Sequence, residues 1–210
     1  WAAEACAAIV QARWTQRPLS DSASVNLGRG TRCSRSVADP TTRINVNSAD
    51  AELLQALGWS QAFVRAVIER RRPQPFQDIG ELSELPGYDS VLVKTITVQG
   101  PGSINLSAAS RDILLALPGM SAEAVDRVLY RRAVGRPVTS LDELAAQLSP
   151  PSRALLFNRY SDLARVATFA PPVIVVRAEG RVGGYSPVAT IELLAVPLPE
   201  RLALVGRRMW

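Results

Sequence analysis

The sequence predicts an α+β protein, a helical block set between two β-containing ends. Three observations carry this prediction. The N-terminal segment is alanine-rich and free of helix breakers until Pro18. The middle of the chain repeats a helical pattern. After Pro171-Pro172 the composition turns to β-branched runs punctuated by glycine and proline.

The first element is a helix over roughly residues 1–15, poor in charge and rich in small side chains. Such a helix suits close packing on a sheet. Residues 16–30 hold Pro18, Ser20, Asp21, Ser22, Ser24, Gly28 and Gly30 and read as a loop. Two extended runs, Thr31–Val37 and Thr42–Val46, flank Ala38-Asp39-Pro40-Thr41 and read as a β-hairpin. At the other end, Val173–Ala178, Val188–Val196 and Leu202–Trp210 read as an antiparallel meander, with Gly180, Gly183, Gly184 and Pro187 in its first turn.

The helical block contains two copies of one unit. Ile44-Asn45-Val46-Asn47-Ser48-Ala49 answers Ile104-Asn105-Leu106-Ser107-Ala108-Ala109. Leu53-Leu54-Gln55-Ala56-Leu57-Gly58 answers Ile113-Leu114-Leu115-Ala116-Leu117-Pro118-Gly119. Val64–Arg71 answers Val125–Arg132, and Phe76–Leu82 answers Val138–Leu144. The period exceeds that of solenoid repeats, so two small helical domains in tandem are expected, at 44–103 and 104–168. The flanks are then 1–43 and 169–210.

Within the first copy, Ser48 is placed to cap a helix that has Asp50 and Glu52 in its first turn. Leu53, Leu54 and Leu57 supply its apolar face, and Gly58 ends it. A second helix runs from about Gln61 to Arg71, with Val64, Val67 and Ile68 inward, and Pro73 and Pro75 stop it. A third begins near Ile79 and ends before Pro86-Gly87.

Two helices joined by a short glycine turn form a helix–hairpin–helix, a motif known for binding the DNA backbone. There the hairpin reads Gly-hydrophobic-Gly, and the second glycine lets backbone N–H groups approach a phosphate. This chain has Gly58-Trp59-Ser60 and Gly119-Met120-Ser121, so the second glycine is missing from both. From Ile44 to Arg165 the 13 basic residues equal the 13 acidic ones, and the net +5 lies wholly outside this block. Phosphate neutralisation drives DNA affinity. Packing is therefore the favoured role of the hairpin residues. Arg70-Arg71-Arg72 and Arg131-Arg132 read as solvated helix ends that suit the helix dipole.

Enzymatic chemistry has little to stand on. The chain has no histidine, which removes the usual triad base and the commonest metal ligand. Asp39, Asp50, Glu52, Asp78, Glu81 and Glu84 fall in no EF-hand spacing. No cofactor site is legible. The two cysteines, Cys6 on the first helix and Cys33 on the first strand, would meet if that helix packs on that sheet, and an oxidising compartment would bond them. The alternative is two separately buried thiols. No run approaches ~18 consecutive apolar residues, so no membrane span is expected inside the chain. The chain opens on Trp1 rather than methionine, so a truncated or processed product is expected.

The run Cys33–Gly58, with its acidic turn, Ile44-Asn45-Val46-Asn47 and closing Leu57-Gly58, resembles general secretion pathway protein K, a minor pseudopilin of type II secretion. Ala3-Glu4-Ala5 resembles the end of a pilin-type helix. Arg177–Gly184 and Ala189–Ala195 resemble the closing strands. The resemblance implies a pilin-like helix and small antiparallel sheet, interrupted by a large all-α insertion of two helix–hairpin–helix-like (SAM-like) units. It implies a non-enzymatic tip subunit that nucleates or caps the pseudopilus, with I-type and J-type minor pseudopilins as partners and the H-type left open as a further one. It also implies a periplasmic location and an inner-membrane anchor preceding Trp1. Some members bind calcium in the pilin portion, but no ligand is assignable in this sequence. The competing reading is a competence-like DNA-binding helix–hairpin–helix protein.

Overall fold

The structure is a computed structural model that describes residues 1–12, 14, 23–183 and 189–209. It divides into two compact units. One joins the chain ends, Trp1–Pro40 with Pro171–Trp210, and the other is Thr41–Ala170. The expected edges of the helical block were 43/44 and 168/169, so each moves by two or three residues.

The unit made of the chain ends is one helix on one sheet. Helix α1 (Ala2–Ala12) buries Ala2, Ala3, Cys6, Ala7 and Val10, a stripe at helical spacing. The helix expected over 1–15 is thus Ala2–Ala12, and residues 13 and 15 lie outside the described ones. The sheet contains β1 (Ala23–Gly28), β2 (Thr31–Ala38), β7 (Ile174–Val182), β8 (Ala189–Pro197) and β9 (Leu202–Met209), in the order β1-β2-β7-β8-β9. Every neighbouring pair is antiparallel. Cys33, Val176, Ala178, Ile191, Leu193 and Ala195 form the buried face with α1, and exposed or half-buried residues alternate with them. The pairing of β2 with β7 joins the two ends of the chain, so the helical unit is an insertion between these strands.

The expected hairpin is corrected. Thr31–Val37 is a strand, but its hairpin partner is β1, which lies in the segment read as loop. Gly28 and Gly30 looked like loop punctuation, whereas Gly28 ends β1 and Gly30 lies in the two-residue turn to β2. Ile44-Asn45 (β3) instead pairs in parallel with Ile96-Thr97 (β4), inside the helical unit. The meander is present with longer strands. Gly180 sits within β7 rather than in the turn, and Gly184, Pro187, Val188 and Trp210 lie outside the described residues.

The helical unit follows the sequence repeat element by element. Ile104-Asn105 (β5) pairs in parallel with Ala167-Thr168 (β6), as β3 pairs with β4. Helices α2 (Ala51–Ala56) and α3 (Gln61–Arg71) correspond to α4 (Arg111–Ala116) and α5 (Ala122–Ala133). The third helix of the first copy is a 3-10 helix, Ile79–Glu84, which corresponds to α6 (Leu141–Ala146). The second copy alone then adds α7 (Pro150–Asn158) and α8 (Tyr160–Val166). The cap of α2 is corrected: Asp50, not Ser48, receives the Leu53 amide, at 2.8 Å. Ser48 lies in the preceding turn. The expectation of two tandem domains is also corrected. Ile44, Leu54, Phe76 and Leu82 belong to one continuous core with Ile104, Leu114, Leu144 and Leu156. The two copies share a single interior.

Candidate functional site

The candidate positions are the two hairpins and the cysteine pair. In the first hairpin Gly58 adopts φ +92°, a left-handed value that ends α2. Trp59 turns inward, 4% exposed, and packs on Phe63 with ring centroids 4.8 Å apart. Its indole N–H finds no acceptor among the described residues. Ser60 caps α3, its hydroxyl accepting from the Phe63 amide at 3.2 Å. In the second hairpin Gly119 has φ +73°, Met120 is buried, and Ser121 caps α5 by accepting from Ala124 N at 3.1 Å. A serine hydroxyl thus occupies one amide at each helix start, where a DNA-binding hairpin leaves amides for phosphate.

The second hairpin is also covered. A Cβ at Gly119 would lie 3.1 Å from Arg159 Cβ, 3.2 Å from Leu155 O and 3.3 Å from Leu156 Cα. The α7 end of the same chain packs closely against this glycine. A Cβ at Gly58 would meet nothing within 4 Å among the described residues beyond its chain neighbours.

The paired arginines do not behave as solvated helix ends, and that expectation is corrected. Arg70 donates to Gln74 O at 3.2 Å and to Glu81 at 2.8 Å. Its counterpart Arg131 donates to Arg136 O at 2.7 Å and to Glu143 at 2.6 Å. Arg71 donates to Val46 O, and Arg132 to Ala109 O and Ala108 O. Burial lowers the pKa of both Arg71 and Arg132. Glu81 and Glu143 accept backbone amides as well, from Gln77 and Asp78 and from Thr139, and these bonds lower their pKa. In each copy the first arginine of the pair pins the loop after the second helix, and the second ties that helix back to the turn before the first helix. Of the five, Arg72 is exposed at the α3 end. The recurrence of a glutamate after each Arg-Arg pair was the readable signal for this role.

Two asparagines were read in the sequence as the start of each copy, without a role of their own. Asn45 and Asn105 are buried and open the two copies. Their Oδ1 atoms accept from Asn47 N and Ser107 N, each at 2.9 Å. Asn45 Nδ2 also donates to Gly100 O at 2.6 Å and Gln99 O at 3.3 Å. Their recurrence in Ile-Asn at both starts marked them, but the carbonyl partners lie too far along the chain to be read.

A cleft of about 530 Å³ lies between the copies, lined by Asp50, Glu52, Arg159, Asp162 and Arg165 among others. Apart from Asp50, which caps α2, these charges pair with one another. Arg159 binds both oxygens of Glu52, at 2.8 and 3.0 Å, and reaches Asp162 at 2.8 Å, while Arg165 pairs with Asp162. Among the described residues no cluster of three or more His, Cys, Asp or Glu side chains is placed to hold a metal ion. Of the six carboxylates singled out in the sequence, Asp50 and Asp78 cap helices, Glu52 joins the cleft pair and Glu81 pins its loop.

In the helix-on-sheet unit, Cys6 on α1 and Cys33 on β2 form a disulfide with Cα atoms 5.7 Å apart. Near the end of α1, Trp14 Nε1 donates to Leu198 O at 3.1 Å. Among the described residues no helix is long and apolar enough to cross a membrane.

Residues 44–99 match the family described as Type II secretion system (T2SS), protein K. That segment is the first copy from β3 through β4, closed by its own parallel bridge. No curated protein matches the sequence. The fold is similar to a chain of a solved assembly, "The Crystal Structure of the GspK-GspI-GspJ complex from enterotoxigenic Escherichia coli Type 2 Secretion System". The TM-score is 0.66 at 14% identity, covering 99% of this chain and 91% of that one. The resemblance read from the sequence therefore holds at two levels: residues 44–99 carry the pattern of type II secretion protein K, and the whole chain has the α+β fold of a subunit of that secretion system.

Proposed function

We propose that this protein is a minor pseudopilin of a type II secretion system, acting at the pseudopilus tip to nucleate or cap its assembly. The observation that carries the reading is architectural. One alanine-rich helix packs on an antiparallel sheet built from both ends of the chain, and a duplicated helical unit is inserted between the second and third strands of that sheet. The family pattern falls inside that insertion. On this reading the chemistry is surface burial between subunits, and no catalytic step is required. The partners are minor pseudopilins of the I and J types, by analogy with the assembly named for the similar structure. The reading also places the protein in the periplasm, with a hydrophobic anchor outside these residues.

The test is reconstitution. Purified soluble I-type and J-type partners, mixed with this chain, should give a stoichiometric complex by size-exclusion chromatography with light scattering. Three separate peaks at tens of micromolar would remove the proposal. The competing DNA reading finds no support in hairpins closed by their own serine caps or in arginines used inside the fold. Salt-dependent duplex binding in an anisotropy titration would reinstate it.

A further inference from the structure

We propose that the Cys6–Cys33 bond is a redox-sensitive catch that holds α1 on the sheet. Reduction would release residues 1–12 while the sheet and the helical unit stay folded. The argument starts from how little else holds the helix. Of its five buried residues, Ala2, Ala3 and Ala7 are alanines, Cys6 is itself half of the catch, and Val10 alone is a larger hydrocarbon. Alanines bury little apolar area, so their hydrophobic contribution is small. Gly180 opens a shallow seat on β7 beneath Ala2 and Ala3, which brings backbones together without interlocking side chains. An isolated helix as short as the 11 residues of α1 is marginal in water.

The remaining ties are weak or terminal. Glu4 pairs with Arg207 at 2.9 Å, but both side chains are about half exposed, at 55% and 51%, and such pairs contribute little. The Trp14 indole holds the far end through Leu198 O. The covalent bond sits between these ties, halfway along the helix, and fixes it to β2.

The sheet has its own reasons to persist. β7 and β8 pair over seven residues, and β2 and β7 over eight, so each central strand keeps its ladder when the helix leaves. Both cysteines are 1% exposed, so a reductant reaches the bond only when α1 lifts transiently. A dithiol then reacts in two steps. One of its thiolates attacks a cysteine sulfur, forming a mixed disulfide and expelling the other cysteine as a thiolate, which takes a proton. The second reductant thiol closes on the first and releases the remaining cysteine as a thiol. Two electrons pass from the dithiol to the protein, and the reductant leaves as a disulfide.

The test is hydrogen exchange with mass spectrometry on the full chain, before and after dithiothreitol treatment without denaturant. A mass gain of two hydrogens reports reduction. Amides of α1 should then exchange at least about tenfold faster, while β7, β8 and α5 keep their protection. Re-oxidation should restore the α1 protection. Unchanged α1 exchange in the reduced protein would overturn the proposal, because the noncovalent contacts would then suffice. Loss of β7 and β8 protection would overturn it too, since the bond would be a staple for the whole sheet. Resistance to the dithiol over hours would show that the catch does not open. A chain with Cys6→Ala and Cys33→Ala, made separately, should match the reduced protein in the same measurement, and α1 protection like that of the oxidised chain would count against the catch.

Discussion

Gly180 on β7 and Ala3 on α1 leave no room between them: a Cβ at position 180 would lie 2.4 Å from the Ala3 amide nitrogen. Ala2 Cβ and Ala2 C would also lie within 3 Å. The obstacle is mostly backbone, so no side chain can swing away. Gly180→Ala must push α1 off the sheet or tilt it, and overpacking of this kind costs about 1–3 kcal/mol. Urea unfolding followed by hydrogen exchange should show lower protection of α1 and β7, with the helical unit unchanged. Gly206→Ala on β9 is the control, because its Cβ would meet Leu194 Cβ at an ordinary 3.8 Å. Equal effects at the two positions would show that the close approach is not what the glycine serves.

The two hairpin glycines should differ in the same way. Gly58 and Gly119 both have positive φ, so alanine at either position carries backbone strain of about 1–2 kcal/mol. Only Gly119 adds contacts at 3.1–3.3 Å with Arg159, Leu155 and Leu156. Gly119→Ala should therefore lower the urea midpoint clearly more than Gly58→Ala. Identical midpoints would mean that the cover provided by α7 is loose.

How much of this was legible follows from where each signal lies. Helix α3 came out with its observed ends, because Ser60 caps it and Pro73 and Pro75 follow it within a few residues. The repeat was legible for the same local reason. The β1–β2 hairpin was not, because its turn glycines resemble any loop and β1 is short and half polar. Ile44-Asn45 looked like a hairpin strand because a parallel bridge to Ile96 leaves no local trace. Arg71 and Arg132 looked like surface charge because a carbonyl partner has no sequence signature. Local chemistry reached the repeat and the helix periodicity but put the α2 cap on Ser48 instead of Asp50, while contacts across many residues decided the roles of the polar side chains.

Asn45 should be the most sensitive polar residue of the first copy. It is 6% exposed, accepts from Asn47 N and donates to Gln99 O and Gly100 O. Asn45→Ala strands one amide and deprives two carbonyls of their donor. Leaving such groups unpaired costs about 1–3 kcal/mol, so a loss near the upper end is expected in urea unfolding of the helical unit. Asn45→Asp keeps the bond from Asn47 N but turns an acceptor toward the two carbonyls, so it should not rescue. Full stability in Asn45→Asp would show that the donor side is dispensable.

Acid should loosen the second copy through Glu123. Its carboxylate accepts from the Ser149 hydroxyl and amide, with the Ser152 hydroxyl as a further donor, and these bonds hold its pKa at about 2, down from 4.5. They tie the first turn of α5 to the start of α7. The folded pKa lies below the unfolded one, so the folded state binds fewer protons near pH 4 than the unfolded state does. The stabilising contribution is therefore complete above pH 4.5 and disappears as the pH falls toward 2. Glu123→Gln removes the charge at every pH. The variant should be less stable than the parent at pH 6, and the difference should shrink between pH 4.5 and 2. Urea midpoints taken across that range measure it directly, and a difference that stays constant down to pH 2 would show that the Ser149 and Ser152 bonds do not depress this carboxyl.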